Sequence, residues 1–234
     1  MRDRTPGFIV AGIALLMASS NLLVSSQNKS ADGWTSEFRL EPGELVSTGR
    51  NMYFILEPKY KLEFQDGRDK LEVTVLNETR MVSGVETRIV EERETHDGKP
   101  VEVSRNYFAI SKRTGDVYYF GEDVDIYKDG KVANHEGAWL AGVNGAKFGL
   151  AMPATPVVKS RYYQEQAQGT AMDRAEIVSL RESVKTAAGT FKNCLKTRET
   201  TPLEPGVSEF KYYAPGIGLV QDDSMKLISY SKGL

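Results

Sequence analysis

Between Tyr60 and Lys131 apolar and polar residues alternate with a period of two, and each run stops at a glycine turn. Leu62 and Phe64 lead to Asp66-Gly67. Leu71, Val73 and Val75 alternate with Glu72 and Thr74 before Ser83-Gly84. Val85, Thr87 and Ile89 alternate with Glu86 and Arg88 and reach Asp97-Gly98. Val101 and Val103 run into Tyr107–Ile110 and Thr114-Gly115, then Val117, Tyr119, Val124 and Ile126 lead to Asp129-Gly130. A two-residue period is that of a half-buried strand, because successive side chains point to opposite faces. Asp-Gly between such runs favours a tight hairpin. No stretch of this region sustains a helical period. The pattern predicts an antiparallel meander.

The rest of the chain extends it. Glu209–Gln221 reads as strand, turn and strand, with Ala214-Pro215-Gly216 as the break. Proline presets φ at the first turn position and glycine tolerates positive φ at the next. Val157–Gln168 reads as a strand with Tyr162 and Tyr163 on opposite faces. Ala171–Lys185 fits a strand or a short helix, and Ser179 and Gly189 favour a hairpin to Thr190–Arg198. Leu227, Ser229 and Tyr230 belong to a closing strand. Tyr53–Leu56 reads as a strand end or edge strand stopped by Pro58. Gly137–Pro156 reads as an apolar, glycine-rich loop, either capping the sheet or forming a lip over a ligand cavity. The expected fold is all-β, a single domain over residues 52–234, curled into a partly open barrel or sandwich. Residues 27–51 form an irregular lead-in.

Arg2 and Arg4 precede an uncharged apolar run from Phe8 to Ala18, resumed briefly by Leu22-Leu23-Val24. That is the layout of a signal peptide, with cleavage after Ser26 and Ala18 with Ser20 as another option. The rival reading is an uncleaved anchor over residues 8–24, the only route to a membrane that the sequence suggests. An exported, periplasmic or extracellular protein is expected. Its one cysteine, Cys194, allows no internal disulfide, so stability must come from core burial. The formal net charge of −2 gives no basic surplus, and no nucleic-acid partner is expected.

Two segments carry a family resemblance. Thr186–Leu195 contains Ala188-Gly189-Thr190-Phe191, and Lys211–Val220 reads KYYAPGIGLV. On these the last third of the chain resembles a group of bacterial exported β-rich proteins of unknown function, which end in a Y-x-A-P-G-x-G-L-V hairpin. The resemblance implies a β fold and carries no catalytic residues with it.

Candidate chemistry is sparse. The two histidines, His96 at a turn and His135 before the glycine-rich segment, lack zinc-ligand spacing, and no metal or cofactor is expected. No G-x-S-x-G, phosphate loop or dinucleotide motif is present. The acid pairs Glu91-Glu92, Glu122-Asp123 and Asp222-Asp223 read as solvated strand faces with cross-strand charge pairs. Lys192, Cys194, Lys196 and Arg198 would share a face of a strand, where cations favour thiolate. The plainer role for Cys194 is a small apolar filler. The expected function is a non-enzymatic envelope protein, binding a small apolar or carbohydrate ligand or another envelope protein. Its candidate ligand residues are Trp139, Phe148, Tyr162, Tyr163, Tyr212 and Tyr213. The alternative is a hydrolase using paired carboxylates from Asp173, Glu176 and Glu165.

Overall fold

The computed structural model describes residues 33–41 and 43–231, so the leader expected over residues 1–26 lies outside the described residues. Sixteen strands and no helix are present among them. β1 (Leu45–Val46) belongs to the lead-in. The meander follows as β2 (Lys61–Asp66), β3 (Asp69–Val82), β4 (Val85–His96), β5 (Lys99–Ser111) and β6 (Val117–Lys128). β7 (Lys131–Asn134), β8 (Trp139–Leu140) and β9 (Lys147–Met152) each pair back onto β6. Two short strands, β10 (Arg161–Tyr163) and β11 (Glu165–Gln166), precede β12 (Arg174–Thr186), β13 (Gly189–Thr200), β14 (Glu209–Ala214), β15 (Gly218–Asp222) and β16 (Met225–Tyr230).

Thirteen strands run edge to edge in one antiparallel sheet, β10-β12-β13-β14-β15-β16-β2-β3-β4-β5-β6-β9-β11. β16 lies beside β2, with Leu227 opposite Phe64, so the last strand joins the first of the meander. The sheet curls into a nearly closed barrel with one seam, a single all-β domain. The meander, the hairpin at Ala214–Gly216 and the strand over Arg174–Thr186 are all as the sequence predicts. Among the described residues no helix is long and apolar enough to cross a membrane.

The seam lies between β10 and β11, which are consecutive in the chain but sit at opposite edges of the sheet. Gln164 alone crosses it. Its N–H donates to the Asp173 carbonyl at 2.8 Å, and the Glu165 N–H reaches the same oxygen at 3.3 Å. β9 packs against this crossing so closely that a Cβ on Gly149 would lie 2.4 Å from the Gln164 carbonyl atoms and 2.5 Å from the Tyr163 oxygen. Outside, the lead-in covers the free edge of β10. Thr35 N–H donates to the Arg161 carbonyl and Tyr163 N–H to the Thr35 carbonyl, both at 2.9 Å. Covering an edge in this way removes a template for pairing with another chain.

Three expectations need correction. Tyr53–Leu56 is not a strand. The Asn51 side chain accepts from the Tyr53 and Phe54 N–H groups at 2.9 and 2.8 Å and donates to the Gly115 carbonyl at 3.0 Å. The chain therefore turns, and Tyr53, Ile55 and Leu56 plug one end of the barrel, where Gly216 N–H ties to the Met52 carbonyl. Gly137–Pro156 is not a loop throughout, because β8 and β9 lie within it and β9 is part of the wall. Of its glycines, Gly149 marks close backbone approach. The common face of Lys192, Cys194, Lys196 and Arg198 is broken by a bulge. Asn193 has φ 55°, the β12–β13 register shifts there, and Cys194 turns fully into the core while Lys192 stays outside. Burial pushes the Cys194 thiol up, the reverse of an activated thiolate.

If Gly149 closes the seam, Gly149→Ala must force β9 and the crossing apart. The variant is expected to lose about 1–3 kcal/mol of stability, as overpacked sites do. A urea midpoint equal to that of the parent would show that the seam does not need this contact.

Candidate functional site

The wall is one residue thick, so each strand sends alternate side chains inward. Near the plug these are apolar: Leu62 of β2, Leu71, Val73 and Val75 of β3, Val90 of β4 and Phe108 of β5. They line an inner compartment of about 290 Å³. Towards the other end the same inward rows become charged. Glu92 follows Val90 on β4, Glu199 lies on β13, Asp222 on β15, Glu122 on β6 and Glu165 on β11, with Asp173 just before β12. A mouth compartment of about 370 Å³ continues from this belt and is bounded by residues 200–209, including the exposed Leu203 and Val207. Glu122, Glu165, Asp173, Glu199 and Lys211 line both compartments.

The acid pairs explain how this belt escapes a sequence reading. Each straddles the wall. Glu91 points outward and pairs with Arg93 and Arg105 at 3.1 and 3.4 Å, whereas Glu92 points inward. Asp123 points outward to Arg80 at 2.5 Å, whereas Glu122 points inward. Asp222 lines the chamber and Asp223 sits in the following turn with φ 47°. The expectation of solvated faces with cross-strand ion pairs holds for the outer member and is corrected for the inner one.

Among the described residues, Lys211 of β14 is the one Lys or Arg lining either compartment. It pairs with Glu199 at 3.2 Å and Asp222 at 3.4 Å. The Glu199 charge, against the opposing effect of burial, holds its ammonium well above the ordinary lysine range. The other carboxylates have no such partner. Burial first, then the Asp222 charge working against Lys211, pushes Glu92 up to about 7. Burial and the neighbouring Glu92 charge push Glu122 up to about 7, with Tyr119 working the other way. Glu165 is raised well above the carboxylate range by burial and then by Asp173 and Glu122. Burial raises Asp173 too, but a bond from Thr201 opposes the rise and Asp173 is open to the mouth. Both members of this pair are thus raised, Glu165 the further.

Among the described residues, four buried side-chain atoms lack a hydrogen-bond partner: Trp139 Nε1, Tyr162 Oη, Gln164 Oε1 and Glu165 Oε2. Gln164, at the seam crossing, and Glu165, on β11, line the chamber, whereas Trp139 of β8 and Tyr162 of β10 are buried outside its lining. Buried polar atoms are nearly always paired, so the two exceptions on the chamber wall mark a place built for something else.

The sequence-predicted aromatic residues scatter. Tyr213 lines the inner compartment. Trp139 stands edge-on to the chamber residue Tyr119, with ring centroids 5.3 Å apart. Phe148 stacks on Phe120 at 5.0 Å and meets Tyr118 and Phe38. Tyr162 is buried, Tyr163 packs against Trp34, and Tyr212 lies beneath the Lys196 ammonium at 5.1 Å. Of the three carboxylates proposed for hydrolysis, Glu165 and Asp173 come together and Glu176 does not. Glu176 is held outside by Arg161 and Arg198, at 3.3 and 2.5 Å. His96 and His135 lie on the exterior, beside Asp69 and the Val124 carbonyl. Among the described residues no group of three or more His, Cys, Asp or Glu side chains is placed to hold a metal ion. No protein-family model matches the chain, and no curated protein or solved structure matches it significantly.

The raised carboxylates set a pH dependence. They hold protons in the fold that the unfolded chain has released, so their contribution to stability is full below the ordinary carboxylate range and lost as pH rises through about 7. Glu44 acts oppositely. Burial alone would raise it, but bonds from Ser111 and the Glu41 N–H and the Arg113 charge hold it low, so its contribution is lost as pH falls. The urea midpoint is therefore expected to rise as pH is lowered from 8 to 5.5. Glu122→Gln should flatten that rise, by at most about 3 kcal/mol for one group. A parent profile flat across this range would refute the burial of these charges.

Proposed function

We propose that the protein is an exported, non-enzymatic binding protein of the bacterial cell envelope that encloses a small amphipathic molecule inside its barrel. The observation that carries this reading is the chamber, plugged at one end, apolar near the plug and carboxylate-lined towards a mouth. Eight-stranded barrels have interiors just wide enough for their side chains or one small ligand, and diameter grows with strand number. A thirteen-strand wall has room to spare. Enclosed sites that are mostly apolar with a few convergent polar groups are the usual form of small-molecule sites. The Arg2, Arg4 and Phe8–Ala18 leader supports export.

A second reading rests on Glu165 and Asp173. A protonated carboxyl beside an ionised one can give a proton to a leaving group and take one from water, which is the arrangement a hydrolase needs.

Native mass spectrometry of the protein purified from its own host separates these readings. The binding reading expects a small-molecule adduct that organic extraction removes. The extracted compound should survive prolonged incubation with fresh protein and rebind unchanged. Turnover of that compound, lost in Glu165→Gln, would put the hydrolase first. An adduct-free spectrum, with no compound from a host extract retained by the protein, would end the carrier reading.

A further inference from the structure

Among the described residues six carboxylates line the inner compartment, Glu92, Glu122, Glu165, Asp173, Glu199 and Asp222, and Glu204 and Glu209 join them at the mouth, against the single cation Lys211. Lys211 engages two of them. The outward faces of the same strands balance their charges differently. Asp123 has Arg80, Glu91 has Arg93 and Arg105, and Glu176 has Arg161 and Arg198. The shortage of cations is thus a property of the interior and not of the chain. An acidic cluster alone would carry little. Here a second observation joins it: Glu165 is 5% exposed, lines both compartments, and leaves Oε2 without a well-formed hydrogen bond, the Trp139 N–H acting on the carboxyl but itself left unpaired. A buried carboxylate oxygen without a well-formed hydrogen bond is what a cationic guest would complete.

We infer that the guest is an amphipathic amine, its ammonium among Glu92, Glu122 and Glu165 and its apolar body in the plugged compartment. This rests on the binding reading above and narrows it to one ligand class. Three features agree with an ammonium. The belt already accommodates one, the Lys211 Nζ between Glu199 and Asp222. The inner compartment, at about 290 Å³ from plug to carboxylate belt, takes tail and ammonium together, roughly ten water-sized groups in all. Charge in a chamber walled by protein is screened far less than at a surface, so surplus carboxylates there either take up protons or hold a cation. Binding an ammonium must then release protons, and an acidic medium must weaken it.

The probes are n-octylamine, 1-octanol and octanoate, titrated calorimetrically into the full-length mature protein after organic extraction. The amine is expected to bind at least tenfold more tightly than the alcohol at pH 7, with octanoate weakest. Its heat should differ between buffers of different ionisation enthalpy by the amount that proton release requires. Lowering the pH from 8 to 6 should weaken the amine about tenfold and leave octanol unchanged. The double variant Glu92→Gln with Glu122→Gln should lose about tenfold for the amine only, and unchanged octanol binding certifies its fold. Lys211→Met removes the internal competitor and should strengthen the amine several-fold. Equal affinities for the three probes would leave the carrier reading standing and overturn the amine. Tightest binding of octanoate, lost in Lys211→Met, would overturn it in favour of an anion. Failure of all three probes to bind would overturn both.

Discussion

The barrel depends on how it closes. β10 and β11 follow one another in the chain yet belong to opposite edges of the sheet, so one residue, Gln164, turns an open meander into a ring. Two N–H groups share the Asp173 carbonyl at this crossing, and Gly149 gives up its side chain to let β9 approach. The lead-in then seals the outside. The Gln166 amide donates to the Ser36 carbonyl at 2.7 Å, and Trp34 lies under Arg161 and Arg174 at 5.6 and 4.6 Å. The closure has a chemical consequence. Glu165 begins β11 just after the crossing, and Asp173 supplies the carbonyl that fastens it. Their side chains meet because the seam is shut.

That meeting is costly for the fold. Buried carboxylates without partners oppose folding, and each would be better neutralised or hydrated. Lys211 offsets the cost for Glu199 and Asp222, while Glu92, Glu122 and Glu165 lower it by shifting towards the neutral form. Elsewhere the chain treats buried polarity quite differently. Arg88, also buried, donates to the Ser47 carbonyl at 2.9 Å, to Asn77 at 2.8 Å and to the Thr48 hydroxyl at 2.5 Å, filling the register shift between Val75 and Thr79. Glu44 is satisfied by Ser111, Glu41 and Arg113. A chain that satisfies its structural charges this fully, and leaves its chamber charges short, departs from fold logic at one place, which is where function is expected to sit.

The wall was legible in the sequence because a strand with one apolar row declares itself locally. Leu71, Val73 and Val75 do so, and so does the hairpin around Pro215. The chamber was not legible, for three physical reasons. First, adjacent carboxylates such as Glu91 and Glu92 lie on opposite sides of a wall one residue thick, and the outer member's ion pairs disguise the inner one. The inward row that continues from Val90 to Glu92 was a usable signal. Second, irregularities shift the phase. Gly121, with φ 135° and no room for a Cβ against the Trp139 carbonyl, lets both Tyr119 and Glu122 line the chamber, and Asn193 turns Cys194 inward. Third, the seam is a contact between edges, and no local pattern encodes it. The aromatic residues, chosen for type alone, were distributed among wall, core and exterior, and only Tyr213 came to line the chamber.

The inward rows also carry a direction. On β4 the row passes from Val90 to Glu92, on β15 from Leu219 to Asp222, and on β14 from Tyr213 to Lys211 and then Glu209 at the mouth. Three strands thus change character in the same sense, less polar near the plug and charged near the mouth. A barrel that needed only a core would keep its inner rows apolar to both ends. A water-filled channel would be polar throughout and would not be stoppered by Tyr53, Ile55 and Leu56. A one-way gradient against a plug is what the proposed binding role requires: it would orient a guest apolar end first, with its polar end at the depth where Glu92, Glu122 and Glu165 stand.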